Sequence, residues 1–181
     1  MVGGTAIALY LGHRRSIDFD LFTVSNYKKN TIINSIKHDG FKVQRMLYED
    51  GEQLDLVVND VKLTFLEYPF DVHPSLSFEE IITLPSLINL ASMKAYALGR
   101  RAKWKDYVDL YFVLRDICSL SDLIDNTREL FGELFNQKLF REQLSYFEDI
   151  DYSENIDYWS GHSIDDKSIK EFLVRLATEK I

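Results

Sequence analysis

"GGTAIALYLGHRRSIDFDLF", Gly3 to Phe22, decides how this chain is read. In "SIDFDLF" the residues alternate: Ile17, Phe19 and Leu21 share one face of an extended segment, and Asp18 and Asp20 share the other. That is the period of a strand. Thr5 to Leu11 is apolar with little alternation, follows a glycine pair and stops at Gly12, so it reads as a short helix ended by glycine. Two like charges side by side on a strand repel each other. A solvated strand face that happens to carry acids is the plain explanation. A divalent cation is the sharper one, because Mg²⁺ takes oxygen ligands, commonly one or two carboxylates with phosphate oxygens and waters. Paired metals also stabilise the attacking and leaving oxygens of an in-line displacement. Gly3 and Gly4 favour the sharper reading. Glycine lets backbone N–H groups come close to a phosphate, and a helix N-terminus attracts that anion. Thr5 adds a hydroxyl, and the Ser16 hydroxyl is placed either to start the strand or to reach a phosphate.

Further along, "NYKKNTIINSIKHDG" carries Ile32, Ile33 and Ile36 at helical spacing and stops at Gly40. "FKVQRMLYE", "QLDLVV" and "KLTFLEY" read as strands, with "NDV" as the turn between the last two. Pro69 and Pro74 break regular structure, and from Phe78 onward the pattern is helical. A long segment, Pro85 to Ile117, has Gly99 as a candidate break, and Asp122–Leu134, Gln137–Phe147 and Lys167–Thr178 follow as helices. "FEDIDYSENIDYWSGHSIDD" reads as an acidic loop. The order implies an α+β fold in two parts, an α/β core over 1–77 and a helical lobe over 78–181.

The chain has 181 residues, 46% of them hydrophobic and 28% charged, a globular composition. No apolar run is long enough to cross a bilayer, and no signal-peptide pattern opens the chain, so no membrane partner is expected. Cys118 is the sole cysteine, which rules out an internal disulfide and fits a cytoplasmic location. The net charge of −8 excludes a basic surface for nucleic acid over the whole molecule. A local one remains open: Lys94, Arg100, Arg101, Lys103 and Lys105 crowd together, while acids concentrate after Glu142.

The first stretch resembles the opening motif of the nucleotidyltransferase superfamily, and in its fuller form the AbiEii/AbiGii toxin family. The matching residues are the glycine pair with Thr5, then His13, Arg14, Ser16, Asp18, Asp20, Leu21 and Phe22. "MKAYALGRRAKWKDYVDLYFVL" resembles the family's helical motif through Lys94, Arg101, Lys105, Asp106, Asp109, Leu110 and Tyr111, and "QLSYFEDID" also resembles it. The resemblance implies a mixed β-sheet with flanking helices followed by a helical C-terminal lobe, with the nucleotide between. It implies Mg²⁺-dependent transfer of a nucleoside monophosphate from a nucleoside triphosphate to an acceptor, tRNA or another RNA among the candidates. It also implies a place as the toxin of a bacterial toxin–antitoxin or phage-defence system.

On this reading Asp18 and Asp20 bind the metal. Gly3, Gly4, Thr5, Arg14, Ser16, Lys94, Arg101, Lys105 and Asp106 surround the nucleotide. Lys94 otherwise reads as a surface lysine laying its stem along apolar neighbours. Arg101 and Lys105, four apart, and Asp106 and Asp109, three apart, otherwise read as a salt-bridge lattice on one helix face. His13 reads equally as a helix C-terminal cap. The superfamily's third carboxylate matches Thr64, which cannot act as a base, so Glu67 or Asp55 is the expected substitute. The competing reading is a nucleotide-binding or regulatory protein that keeps the pocket without turnover. Relatives carry a strand before the glycines. Its shortness here predicts an open edge near Val2, Ile7 and Leu11, and from that a homo-oligomer or an antitoxin-type partner.

Overall fold

The computed structural model describes residues 1–98 and 100–179. The chain opens with helix α1 (Gly3–Leu11), ended by Gly12 in the left-handed conformation with its N–H bonded to Ala8 O. Strand β1 (Phe19–Thr23) and helix α2 (Lys29–His38) follow. Strands β2 (Val43–Glu49), β3 (Gln53–Val58) and β4 (Val61–Glu67) then run as a meander. The sheet order is β1-β4-β3-β2, with β1 parallel to β4 and the remaining pairs antiparallel. Asn59 and Asp60 both take positive φ between β3 and β4, the conformation of a tight two-residue hairpin turn.

Pro74 does not end the strand region, as the sequence reading expected; it begins a second hairpin, β5 (Pro74–Phe78) and β6 (Ile82–Pro85). A proline is tolerated at the first residue of a strand, where no ladder donor is missed. The helical part therefore starts at α3 (Leu87–Leu98) and continues through α4 (Trp104–Asp116), α5 (Leu120–Phe131), α6 (Gln137–Ser145) and α7 (Asp166–Thr178). Gly99, the expected break, lies outside the described residues. A capping box closes the start of α5: the Ser119 side chain accepts from Asp122 N, and the Asp122 carboxylate accepts from Ser119 N.

The expected boundary at 77/78 cuts through β5, and α1 does not keep to the sheet side. Met1, Val2, Ala6 and Ile7 are buried in the same hydrophobic cluster as Leu90, Ala91, Leu110, Leu123 and Leu173 of the helical half. A second, smaller cluster of Leu54, Leu56 and Val58 lies between the sheet and α2. The bare apolar gap expected around Val2 and Ile7 is not found either. Both are buried, and Val2 N donates to Asp20 O at 2.8 Å along the outer edge of β1. Among the described residues no helix is long and apolar enough to cross a membrane.

Because α1 joins the helical cluster, the two halves should unfold together. Trp104 is in α4 and Trp159 is also C-terminal to the sheet. Leu56→Ala in β3 removes a fully buried side chain, at a cost of about 2–5 kcal/mol. Urea unfolding followed by tryptophan fluorescence should shift with this sheet variant and coincide with the transition seen by circular dichroism.

A candidate active site between the sheet and helix α3

Helix α3 faces the open side of the sheet across a cleft of about 430 Å³. In register, Asp20 of β1 lies beside Thr64 of β4, and Thr64 beside Asp55 of β3. Directly paired residues share a sheet face, so these three form one row. Strand alternation adds Lys62 on one side of Thr64, and Leu66 then Tyr68 on the other. Asp20, Lys62, Thr64, Leu66 and Tyr68 all line the cleft, and Lys94, Tyr96, Arg100 and Arg101 line it from the helical side. A more open hollow of about 640 Å³ between α6 and the end of α7 contains none of the motif residues.

The beginning of α1 closes one end. Gly3 has φ +75°, and a Cβ there would sit 2.0 Å from Asp20 Oδ2. A Cβ on Gly4 would sit 2.5 Å from an Arg14 guanidinium nitrogen. Both glycines are therefore required by close approach: one admits the Asp20 carboxylate and the other the Arg14 side chain. No side chain caps α1, so its first N–H groups stand beside Asp20, as a helix N-terminus that binds anions requires.

Beneath the cleft is a buried ion cluster. Asp109 of α4 accepts from His13 Nε2 (2.7 Å), from Arg14 Nε and a terminal Arg14 nitrogen (2.7 and 2.9 Å) and from Lys94 Nζ (2.9 Å). Lys94 also pairs with Asp106, which accepts from Arg101 Nε at 3.1 Å. Burial alone would raise the Asp109 carboxyl. The charges of Lys94 and Arg14, with the hydrogen bonds from His13 and Arg14, outweigh it and hold Asp109 well below the usual carboxylate range. Burial alone would lower the Lys94 ammonium, and Asp106 and Asp109 hold it up. Lys94 is not a surface lysine: it is 4% exposed.

Several expected roles change. The Arg14 guanidinium is taken up by Asp109, so Arg14 braces the site from below. His13 caps nothing and bonds Asp109. Thr5 donates to the Asp18 carbonyl, and its Oγ1 lies 2.7 Å from Ser16 Oγ; these hydroxyls hold the turn into β1. Lys105 pairs with Glu154, as Lys103 does at 2.6 Å, and does not line the cleft. Arg101 precedes α4, so it shares no helix face with Lys105. Asp106 bonds Lys94 and Arg101, orienting two cleft cations.

Among the acids, Asp20 lines the cleft, whereas Asp18 lies just before β1 and accepts from Lys62 N at 3.2 Å. Glu67 pairs in register with Thr23 and falls on the opposite sheet face from Thr64. It opens onto a separate hollow with Pro69 and Asp71. Asp55 is on the correct face but bonds Lys62 Nζ (3.1 Å) and Gln53 Nε2 (2.9 Å). Its backbone is two strand spacings, about 10 Å, from that of Asp20. Thr64 thus separates Asp20 from Asp55 in the row, and its buried Oγ1 has no hydrogen-bond partner among the described residues. The sequence reading missed Lys62, Tyr68 and Tyr96; continuing the alternation from Thr64 along β4 would have found the first two.

Residues 1–176 match the family described as nucleotidyl transferase AbiEii toxin, type IV toxin–antitoxin system. The chain belongs to this family of nucleotidyltransferase toxins. It is also similar to an uncharacterized protein, aq_aa25, of Aquifex aeolicus (strain VF5), at 29% identity over 155 residues, covering 82% of this chain and 73% of that protein. In fold it is similar to MenT4, a nucleotidyltransferase toxin from Mycobacterium tuberculosis H37Rv. The TM-score is 0.63 at 15% identity, over 97% of this chain and 73% of that one.

The donor set suits a hard divalent cation. Asp20 lines the cleft and Asp18 lies two residues before it, and burial pushes the Asp20 carboxyl up against the pull of Lys62, Lys94 and Arg101, a cost that a cation would offset. Among the described residues no cluster of three or more His, Cys, Asp or Glu side chains is poised for a metal. That leaves two carboxylates with ligand oxygens, a set Mg²⁺ accepts.

Asp109→Asn should destabilise the fold by about 3–5 kcal/mol, since it strands Arg14 as a buried charge and leaves Lys94 with Asp106 alone. Lys105→Ala removes a partly exposed pair and should cost under about 1 kcal/mol. Urea denaturation of both variants checks the difference.

Proposed function

We propose that this chain transfers a nucleoside monophosphate from a nucleoside triphosphate to an acceptor hydroxyl, acting as the toxin of a toxin–antitoxin pair in the cytoplasm, with RNA, tRNA included, as the acceptor class. The observation that carries the reading is the convergence of Asp20, the uncapped start of α1 and the paired cations Lys94 and Arg101 on one cleft. Gly3 and Gly4 would present backbone N–H groups to the phosphates. Lys94 and Arg101, held by Asp106, would receive the β- and γ-phosphates in fixed orientation. Asp20, with Asp18, would hold Mg²⁺, which when bound neutralises charge on the phosphates and the leaving pyrophosphate. Arg100 and Arg101 are exposed at the rim, where an RNA backbone would meet them, while Lys103 and Lys105 are already committed to Glu154.

A second reading has its own observation. Thr64 lies between Asp20 and Asp55 in the row, Glu67 faces away and Asp55 is bound to Lys62, so a protein that binds nucleotide without turnover fits the same cleft. Pyrophosphate release from each nucleoside triphosphate, with and without total tRNA, separates the two. Turnover by the wild type that is lost in Asp20→Asn and Lys94→Ala supports transfer. Nucleotide binding without release supports the second reading. Under the transfer reading Asp20→Asn should lower the rate at least a hundredfold, the scale on which removal of one electrostatic contact acts. Asp55→Asn should fall comparably only if Asp55 serves as the base.

A further inference from the structure

The far half of the cleft takes no part in this scheme. Beyond Asp20 the sheet face continues through Phe22 and Leu66 to Tyr68, and Met93 and Tyr96 face them from α3. The character of the cleft changes along its length, from carboxylate and ammonium at one end to apolar and aromatic at the other. Ligand sites of this kind hold a flat apolar body between side chains and fix it with a few placed polar groups.

Two such groups are present. Tyr68 and Tyr96 line this end, and neither phenol oxygen has a hydrogen-bond partner among the described residues. Tyr10 donates to Pro85 O, Tyr27 to Phe65 O and Tyr107 to Gln143 O, whereas Tyr158 is also unpartnered among the described residues but lies away from the cleft. The two rings are also held still. Tyr96 stacks on Phe131 with centroids 4.1 Å apart and planes 7° apart, and Arg100 covers it with its guanidinium carbon 3.7 Å from the ring centre. Tyr68 packs between Phe22 and Phe70 at 4.9 and 5.3 Å, and Phe70 meets Tyr96 and Phe131 edge-on. One aromatic chain therefore runs from β1 through the loop after β4 to α5 and α3 and fixes both phenols. The covered faces of Tyr96 leave no room for a base to stack on it, so its ring carries a hydroxyl and does not serve as a platform. Burial, with Tyr96 nearby, pushes the Tyr68 phenol up to about 12, so it stays a donor at neutral pH.

We infer that this end of the cleft seats the base of the nucleoside triphosphate between Leu66 and Met93, and that the Tyr68 and Tyr96 hydroxyls read its polar edge and set which base is preferred. The inference rests on the reading of the cleft as a triphosphate site: if Lys94 and Arg101 take the phosphates, the base falls toward the aromatic end. A pinned hydroxyl discriminates more sharply than a free one, because a base that offers no partner leaves it unpaired on closure.

The test is calorimetric titration of the full chain in Mg²⁺ with α,β-methylene analogues of ATP, GTP, CTP and UTP, which cannot be turned over, and with inorganic tripolyphosphate. The best analogue should bind more than tenfold tighter than tripolyphosphate. Tyr68→Phe and Tyr96→Phe keep the aromatic chain and lose only the hydroxyls. Each should shrink the ratio between the best and worst base by about two- to tenfold and leave tripolyphosphate affinity unchanged. Phenylalanine variants with the wild-type order and spread of the four analogues would overturn the inference and leave the triphosphate reading standing. Tripolyphosphate binding as tightly as every analogue would do the same. If the wild type binds neither, or Lys94→Ala binds both as well as the wild type does, the triphosphate reading itself falls and the base site falls with it.

Discussion

Asp109 is the constraint on which the rest of this structure depends. It is fully buried in α4, yet it gathers the side chains of His13 and Arg14 from the turn after α1 and of Lys94 from α3. An isolated carboxylate could not be carried there, and neither could the Arg14 or Lys94 charge alone. The group is tolerable only as a set, and the set spans three elements. It therefore fixes how the turn leading into β1 sits against the helical half, and with it the place of Asp20 in the cleft. Gly4 belongs to the same constraint, because the Arg14 guanidinium runs where its Cβ would be. Because folding lowers the Asp109 pKa, the stabilisation is complete above the unfolded value of about 4. It is lost only as pH falls through the depressed one.

The sheet imposes a second condition. Asp20, Thr64 and Asp55 are neighbours in one row, and three carboxylates in that row would repel strongly unless a cation were always present. With Thr64 in the middle the row holds two separated charges, and Lys62 compensates Asp55 directly. The row then carries its charges without a bound metal. On the proposed reading it also leaves Asp20 without a neighbouring carboxylate in the row to deprotonate an acceptor.

Much of this was legible locally. The alternation in "SIDFDLF", the glycine stop at Gly12 and the turn at Asn59–Asp60 are short-range features, and the structure keeps them, although β1 starts only at Phe19. The "HR" and "KD" motifs mark the ion cluster, but spacing along the chain could not say which partners meet. Arg101 and Lys105 look like helix neighbours only if the helix begins before Arg101; it begins at Trp104. Lys105 finds Glu154 across a long loop, a contact with no local signal. The hairpin β5–β6 carries a short alternation, Ser75-Leu76-Ser77-Phe78, but Pro74 reads as a break before it, and Leu76, Phe78 and Ile81 are exposed, so its apolar face is not a core face. Glu67 was weighed beside Asp55 although alternation already put it on the other face from Thr64.

Charge balance explains how a chain of net charge −8 could serve a polyanionic substrate. The acidic segment after α6 does not shield the cleft; it spends Glu154 on Lys103 and Lys105, away from the lining. Around the cleft, Asp106 and Asp109 answer Lys94, Arg101 and Arg14, and Asp55 answers Lys62, while Asp20 feels Lys62, Lys94 and Arg101 without a direct ion pair among the described residues. The protein thus offers oriented cations but little surplus positive charge. On the proposed reading, a triphosphate entering alone would meet the Asp20 carboxylate, whereas one carrying a divalent cation would bring charge that offsets it.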